Sequence, residues 1–154
     1  MTIEVRRATE ADASRLAASE PAGAGVAASH LRAQEAGESI FLIALEADEP
    51  IGSGVLMLAE VPELRHLHVH EDARGRGAGS ALVAAAEREA GRLGATAVDL
   101  GVGVENARAA ALYRRLGYVD TGERSTTTYS YVDRDGARRT ATETDVHLRK
   151  HLQI

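Results

Sequence analysis

The chain has 154 residues, which fits one domain with a hydrophobic core, and we predict a single domain over residues 1–154. Its formal net charge is −5, which argues against a protein that binds nucleic acid, because such a protein needs a basic surface. The sequence contains no cysteine, which excludes disulfides, thiolate metal sites and a thiol nucleophile.

The N-terminal part of the chain predicts one strand and two helices. Residues 2–8 alternate apolar and charged side chains, as a half-buried strand does. Thr9 can cap a helix that runs to about Ser19, with Asp12 completing a capping box. A Gly/Ala-rich break follows at residues 21–25. A second helix is expected over residues 26–37, which is the least specified region.

The middle of the chain predicts an antiparallel meander that leads into a glycine-rich loop. Three successive strands are expected at residues 39–46, 51–58 and 63–70. The glycines of the loop are followed by an alanine-rich helix over residues 77–93, which ends at Gly94. Another strand is expected at residues 96–104, so a strand, helix, strand crossover is centred on the loop.

The C-terminal third predicts one helix and a hairpin. Asn106 can cap a helix over residues 107–116, and residues 118–121 resume extended structure. Residues 125–132 and 138–148 then pair across a strong turn. The elements together predict an α/β fold with a mixed, mostly antiparallel sheet of about seven strands and about four helices.

The glycine-rich loop predicts a phosphate site. Glycine lets backbone amides approach a ligand closely, and the following helix start carries unpaired N–H groups and partial positive charge. Arg74 and Arg76 add cationic side chains. A P-loop is disfavoured because the loop has no lysine. A dinucleotide fingerprint is disfavoured because Ser80 stands at its third glycine position and antiparallel strands precede it.

Two blocks of sequence resemble the GNAT superfamily of N-acetyltransferases. Residues 74–79, Arg-Gly-Arg-Gly-Ala-Gly, match the Arg/Gln-x-x-Gly-x-Gly/Ala signature of that family, and Leu-His-Val at residues 67–69 resembles its fourth strand. Residues 106–118, which begin with Asn-Ala and end with Leu-Gly-Tyr, resemble its second hallmark. The resemblance covers Glu63 to Tyr118 and implies a GNAT-like fold.

The resemblance also implies a chemistry, the direct transfer of an acetyl group from acetyl-CoA to a primary amine. In the family the pyrophosphate lies on the loop amides, and the N–H matching Val69 faces the thioester carbonyl. Asn106 is expected to hold the pantetheine arm, and Tyr113 is expected to protonate the leaving thiolate. The residues implied to contact acetyl-CoA are Leu67, His68, Val69, Arg74, Gly75, Arg76, Gly77, Ala78, Gly79, Ser80, Asn106 and Tyr113.

A general base is needed because an amine with a pKa near that of lysine must lose a proton before it attacks. Glu63 is the first choice as this second catalytic residue, since family members often carry a glutamate at the start of the fourth strand. His66, His68 and Glu60 are the alternatives. On a regular strand Glu63 and His66 face opposite sides, and a bulge would reverse that phase.

Other functional classes stay open at this stage. His66, His68 and His70 could converge on zinc from one strand face, although we predict no metal site. A catalytically degenerate acetyl-CoA-binding module is a further alternative. The acceptor is expected to be a small-molecule amine or a protein amino group. With no signal-like or membrane-spanning run, we expect a cytoplasmic protein with no membrane partner, and a homodimer is an expectation from the family.

Overall fold

The computed structural model describes residues 2–153, and in this range the chain forms seven β-strands and four α-helices, as predicted. The strands are β1 (Ile3–Arg7), β2 (Ser39–Glu46), β3 (Glu49–Met57), β4 (Glu63–Val69), β5 (Ala97–Gly103), β6 (Val119–Val132) and β7 (Arg138–His151). The helices are α1 (Glu10–Ala17), α2 (Val26–Glu35), α3 (Ala78–Arg92) and α4 (Ala107–Arg115). None of the helices in the described range is long and apolar enough to cross a membrane.

The chain divides into two compact units, one running to Val98 and including the segment from His151, the other spanning Asp99–Lys150. In the first unit, β1 to β4 follow one another in spatial order and all three neighbouring pairs are antiparallel. This arrangement confirms the predicted meander. Its β2–β3 turn is a two-residue turn in which Ala47 and Asp48 both have positive φ, at 49° and 69°.

The core of the first unit lies on both faces of its sheet. The cluster beneath α1 and α2 contains Ala8, Ala13, Ala27, Phe41, Ile43, Leu45 and Val55. Helix α3 packs against β1 to β4. The side chains that α3 buries are mostly alanine, with Leu82 and Val83, so this helix can lie close to the strands. Strand β2 is buried along nearly its whole length because both faces are covered.

A partly buried ion pair fixes the start of α1. Thr9 is the N-cap and forms the predicted capping box with Asp12. The Asp12 carboxylate also accepts two hydrogen bonds from the Arg6 guanidinium, one of them 3.1 Å long. Its hydrogen bond from Arg6 is the main reason that the pKa of Asp12 lies below its ordinary value. Strand β1 and helix α1 are therefore joined by charge as well as by packing.

The second unit contains the long β6–β7 hairpin and helix α4. The predicted turn is confirmed: Asp133 Oδ1 accepts hydrogen bonds from the backbone N–H groups of Asp135 and Ala137, both at 2.9 Å. Two separate extended segments were predicted before this turn. Strand β6 runs without a break through both, with a register shift between Asp120 and Arg124, because pairing with β7 continues past the irregularity.

Candidate functional site

A β-bulge in β4 sets which side chains share a face. Val55 of β3 pairs with Arg65 and Ser53 pairs with His68, so Gly54 alone stands opposite two residues, His66 and Leu67. His66 has a φ of 54°, a conformation that non-glycine residues rarely adopt. The extra residue reverses the alternation along the strand. As a result Glu63 and His66 lie on the same face of the sheet, which the regular alternation would have prevented.

The end of β4 presents a backbone donor away from β3. The N–H of His70 donates to the carbonyl oxygen of Ile51 in β3, at 2.8 Å. Successive N–H groups of a strand point to opposite sides, so the N–H of Val69 is directed away from β3. On the β3 side, a Cβ at Gly52 would lie 2.7 Å from the carbonyl oxygen of His68, which is closer than real Cβ contacts. Glycine at 52 therefore permits the close approach of these two strands.

The glycine-rich loop has the open backbone that a phosphate group requires. A short 3-10 helix, Glu71–Ala73, leads into the loop, and Gly75 and Gly77 have φ values of 79° and 91°. Gly77 is the N-cap of α3, and no side chain caps that helix start. Nothing lies within 4 Å of a Cβ placed at either glycine, so both positions border open space. The residues present fit a pyrophosphate group.

The two arginines of the loop differ in their surroundings. The Arg76 guanidinium forms an ion pair with Glu46 at the end of β2, with an Nη1–Oε1 distance of 2.6 Å. The Glu46 side chain is only 10% exposed, so this pair ties the loop to the sheet. Arg74 is exposed. The pKa of His68 lies below its ordinary value, chiefly through burial and then through His70 and Arg74.

A cavity of about 410 Å³ lies within the first unit, and we call it the histidine cavity because four imidazoles line it. Its lining consists of Leu16, Ser19, Glu20, Val26, Ala27, His30, Phe41, Ser53, His66, Leu67, His68 and His70. The rings of His30 and His66 have centroids 5.0 Å apart, and those of His68 and His70 lie 5.7 Å apart. Within residues 2–153 no three His, Asp or Glu side chains are grouped so as to hold a metal ion.

Glu63, the predicted base, lies outside the lining of this cavity. Its carboxylate accepts a hydrogen bond from the Arg65 guanidinium two residues along β4. The Glu63 side chain is 23% exposed. Its role as a base stays a prediction, and a substrate that uses it must compete with Arg65 for the carboxylate.

Asn106 and Tyr113 belong to the second unit. Asn106 is the N-cap of α4, as predicted: its Oδ1 accepts the N–H of Ala109 at 3.1 Å. It also lines an open groove of about 500 Å³ beside Thr142 and Asp145. Tyr113 is 7% exposed, and its ring meets that of Tyr118 edge to face at 6.4 Å. Burial raises the pKa of the Tyr113 phenol, so the hydroxyl keeps its proton at neutral pH.

The fold is that of known N-acetyltransferases. The ribosomal-protein-S18-alanine N-acetyltransferase of Escherichia coli aligns over 99% of this chain and 96% of its own, with a TM-score of 0.72 and 17% identity. The ribosomal-protein-alanine N-acetyltransferase of Brucella melitensis aligns over 97% and 99%, with a TM-score of 0.73 and 21% identity. The PaiA N-acetyltransferase of Thermoplasma acidophilum, solved with coenzyme A, aligns over 99% of this chain and 100% of its own, with a TM-score of 0.68 and 18% identity. These likenesses confirm the predicted GNAT-like α/β fold.

A sequence match identifies the family. The model of the acetyltransferase (GNAT) family matches residues 9–118, and the chain belongs to this family. A stretch of 59 residues is also 46% identical to an uncharacterized N-acetyltransferase of Methanocaldococcus jannaschii. That match covers 38% of this chain and 26% of the relative, so it spans about a quarter of the relative's length.

Two residues of the first unit were missed by the sequence reasoning. His30 stands on α2, in the region where the sequence specified least, and no local pattern links it to His66. Gly52 stands in a strand as an isolated glycine. An isolated glycine in a strand can mark a close backbone approach, and that signal could have found it.

Proposed function

We propose that this protein transfers an acetyl group from acetyl-CoA directly to a primary amine. The observation that carries the proposal is the open, glycine-rich helix start at Gly77, which lies inside the family match at residues 9–118. That the Thermoplasma acidophilum relative was solved with coenzyme A supports this choice of donor. A small-molecule amine or a protein amino group is the proposed acceptor class.

Acetyl-CoA would be held chiefly by backbone. The proposed pyrophosphate ligands are the amides from Gly75 to Ser80, aided by the positive end of α3 and by the exposed Arg74 guanidinium. Arg76 would contribute less directly, because its guanidinium is already paired with Glu46. The pantetheine arm would run along Leu67 to Val69 of β4.

The reaction would follow from donors that are already oriented. The Val69 N–H, directed away from β3, would stabilise the negative charge that develops on the thioester oxygen. The amine nitrogen attacks the carbonyl carbon, a C–N bond forms, the C–S bond breaks and the amine gives up a proton. Tyr113 would protonate the coenzyme A thiolate, a role supported by its protonated, buried phenol. Asn106 is proposed to hold the pantetheine arm, and Glu63 remains a proposed base.

Assembly follows the family expectation. A homodimer and a single N-acetyltransferase domain over residues 1–154 are proposed, and size-exclusion chromatography with light scattering measures the first. Limited proteolysis tests the second, because one domain should yield one protected core.

Calorimetry with acetyl-CoA, together with release of free thiol on addition of amines, tests the proposed function. Gly77→Val should weaken acetyl-CoA binding by at least about tenfold, because a β-branched side chain at φ 91° strains the loop backbone that is proposed to bind the pyrophosphate. The matched control is Gly91→Ala in the same helix, where nothing lies within 4 Å of the new Cβ and affinity should not change.

The outcomes separate the alternatives. No binding of acetyl-CoA by the wild-type protein would refute the proposal. Binding without thiol release from any amine would identify the protein as a degenerate acetyl-CoA-binding module. Equal affinity of wild type and Gly77→Val would contradict the loop assignment.

A further inference from the structure

We propose that the histidine cavity is the acceptor site, that it takes a primary amine carried on an apolar group, and that His66, positioned by His30, accepts the amine proton. This inference rests on the proposed function, specifies its second substrate and assigns the amine proton to His66 in place of Glu63, which lies outside the cavity lining. The family match does not define this cavity's acceptor, and the three structural neighbours named above share no more than 21% identity with the chain.

The lining combines apolar side chains with serines, histidines and one glutamate. Leu16, Val26, Phe41 and Leu67 supply apolar surface, and the polar remainder is mostly serine and histidine. A volume of about 410 Å³ suits a small molecule or one side chain of a larger one. Transfer of an alkyl or aryl group into such a lining is favourable by roughly 25 cal/mol per Å² of apolar surface.

The carboxylate in the lining, that of Glu20, already accepts two backbone hydrogen bonds. Glu20 Oε1 accepts the N–H of Val26 at 3.1 Å, and Oε2 accepts the N–H of Ala27 at 2.8 Å. Its negative charge thus compensates the N-terminal end of α2. Within the part of the lining that the structure describes, this is the only carboxylate. A second ammonium group on the acceptor would be desolvated in the cavity, where the one carboxylate already binds two amides at the start of α2, and this disfavours polycations.

His66 is aimed into the cavity by the bulge. The positive φ of His66 turns its ring onto the side of α2, where it lies 5.0 Å from the ring of His30. His30 in turn packs edge to face on Phe41, with centroids 5.3 Å apart, and this contact fixes its place. His66 also stands three residues before Val69 on β4, whose N–H is the proposed oxyanion donor. The proposed proton acceptor and the proposed oxyanion donor therefore lie on the same strand.

The two histidine pairs differ in their charged neighbours. Burial, His70 and the Arg74 guanidinium all hold the pKa of His68 below its ordinary value. Burial and then His66 lower the pKa of His30, and the Glu20 carboxylate opposes that shift. The pair of His30 and His66 is thus the one with a carboxylate nearby. The amine loses its proton to the His66 imidazole, directly or through a water, as its lone pair forms the C–N bond.

Acceptors of matched length test the substrate class. Hexylamine and 1,6-diaminohexane have the same chain, and only the second adds a distal ammonium. Hexylamine should be acetylated with a kcat/KM at least about tenfold higher at pH 7.5, since the cavity offers a second ammonium only a carboxylate that already binds two amides. A diamine that is acetylated as well as hexylamine, or better, would overturn the inference and leave the proposed transferase intact.

Histidine variants test the proton acceptor. His66→Gln should lower kcat with hexylamine by about 100-fold because the proton acceptor is lost, and His30→Gln should lower kcat by about tenfold with little change in KM because His30 only positions His66. The matched control is His147→Gln in the second unit, whose imidazole lies on Ser125 and whose kcat and KM should be those of the wild type. A wild-type kcat in His66→Gln refutes the role.

Direct binding separates failure of this inference from failure of the proposed function. The imidazole proton resonances can be followed by NMR while hexylamine is added to the wild-type protein without acetyl-CoA. The resonances of His30 and His66 should move, and those of His147 should not. If they do not move at millimolar hexylamine, the cavity is not the amine site, whether or not acetyl-CoA binds.

Discussion

The close approach of β3 and β4 at Gly52 predicts a large effect from one methyl group. In Gly52→Ala the new Cβ lies 2.7 Å from the His68 carbonyl oxygen, and ordinary contact begins at 3.4 Å. The backbone of β4 must therefore retreat by about 0.7 Å, the difference of these two distances. Overpacking of this kind costs about 1–3 kcal/mol of unfolding free energy. The movement also displaces Val69, the proposed oxyanion donor.

The assay is urea unfolding together with acetyl transfer to hexylamine. We expect kcat to fall by about 10- to 100-fold in Gly52→Ala, because misplacement by about 1 Å costs about 100-fold. The matched control is Gly54→Ala, whose Cβ meets side-chain carbons of Leu64 and Leu67 at 3.3 Å, and flexible side chains can yield. Wild-type stability and rate in Gly52→Ala, or an equal loss in Gly54→Ala, would refute the reasoning.

Two further predictions concern ionisable groups. Tyr113→Phe should lower kcat by about 100-fold and leave acetyl-CoA affinity unchanged, because only the proton donor is lost; an unchanged kcat in thiol-release assays would exclude Tyr113 as the acid. Asp12→Asn should lower the free energy of unfolding at pH 7 by about 1–2 kcal/mol, since the ion pair with Arg6 and the capping box both weaken. The pKa of Asp12 is lowered on folding, so its contribution is present above the unfolded value of about 3.9 and is lost as pH falls through the folded value. Urea titrations at pH 7 and pH 2 should therefore differ more for the wild type than for Asp12→Asn, and equal pH dependence would contradict this assignment.

Local sequence signals were sufficient to predict the features that depend on residues close together in the chain. The bounds of β2 were predicted to the residue, because its apolar run ends at a turn. The capping residues Thr9 and Asn106 were predicted because a cap bonds within its own helix turn. The same holds for the hairpin turn after Asp133, whose carboxylate binds the next few amides. The glycine loop was identifiable because a helix start and positive-φ glycines are local features.

Features that depend on pairing with another strand could not be predicted from the local sequence. Residues 118–121 and 125–132 were predicted as extended segments, and the structure joins them in β6 because pairing with β7 continues across the irregularity. The bulge at His66 could be anticipated as an option but not placed, since only the register against Val55 and Ser53 locates it. The position of β4 in the sequence was thus predicted, while the face of the sheet on which each of its side chains lies was not.

By itself the sequence determined the element order, the caps, the glycine loop and the family, because each is encoded by residues close together in the chain or by a motif of fixed spacing. Only the tertiary structure decided the chemistry of the histidine cavity. The contact of His30 with His66 joins α2 to β4, and the engagement of Glu20 depends on how the chain folds back onto α2. Such contacts are set by packing between distant segments, and packing has no signature in the local pattern.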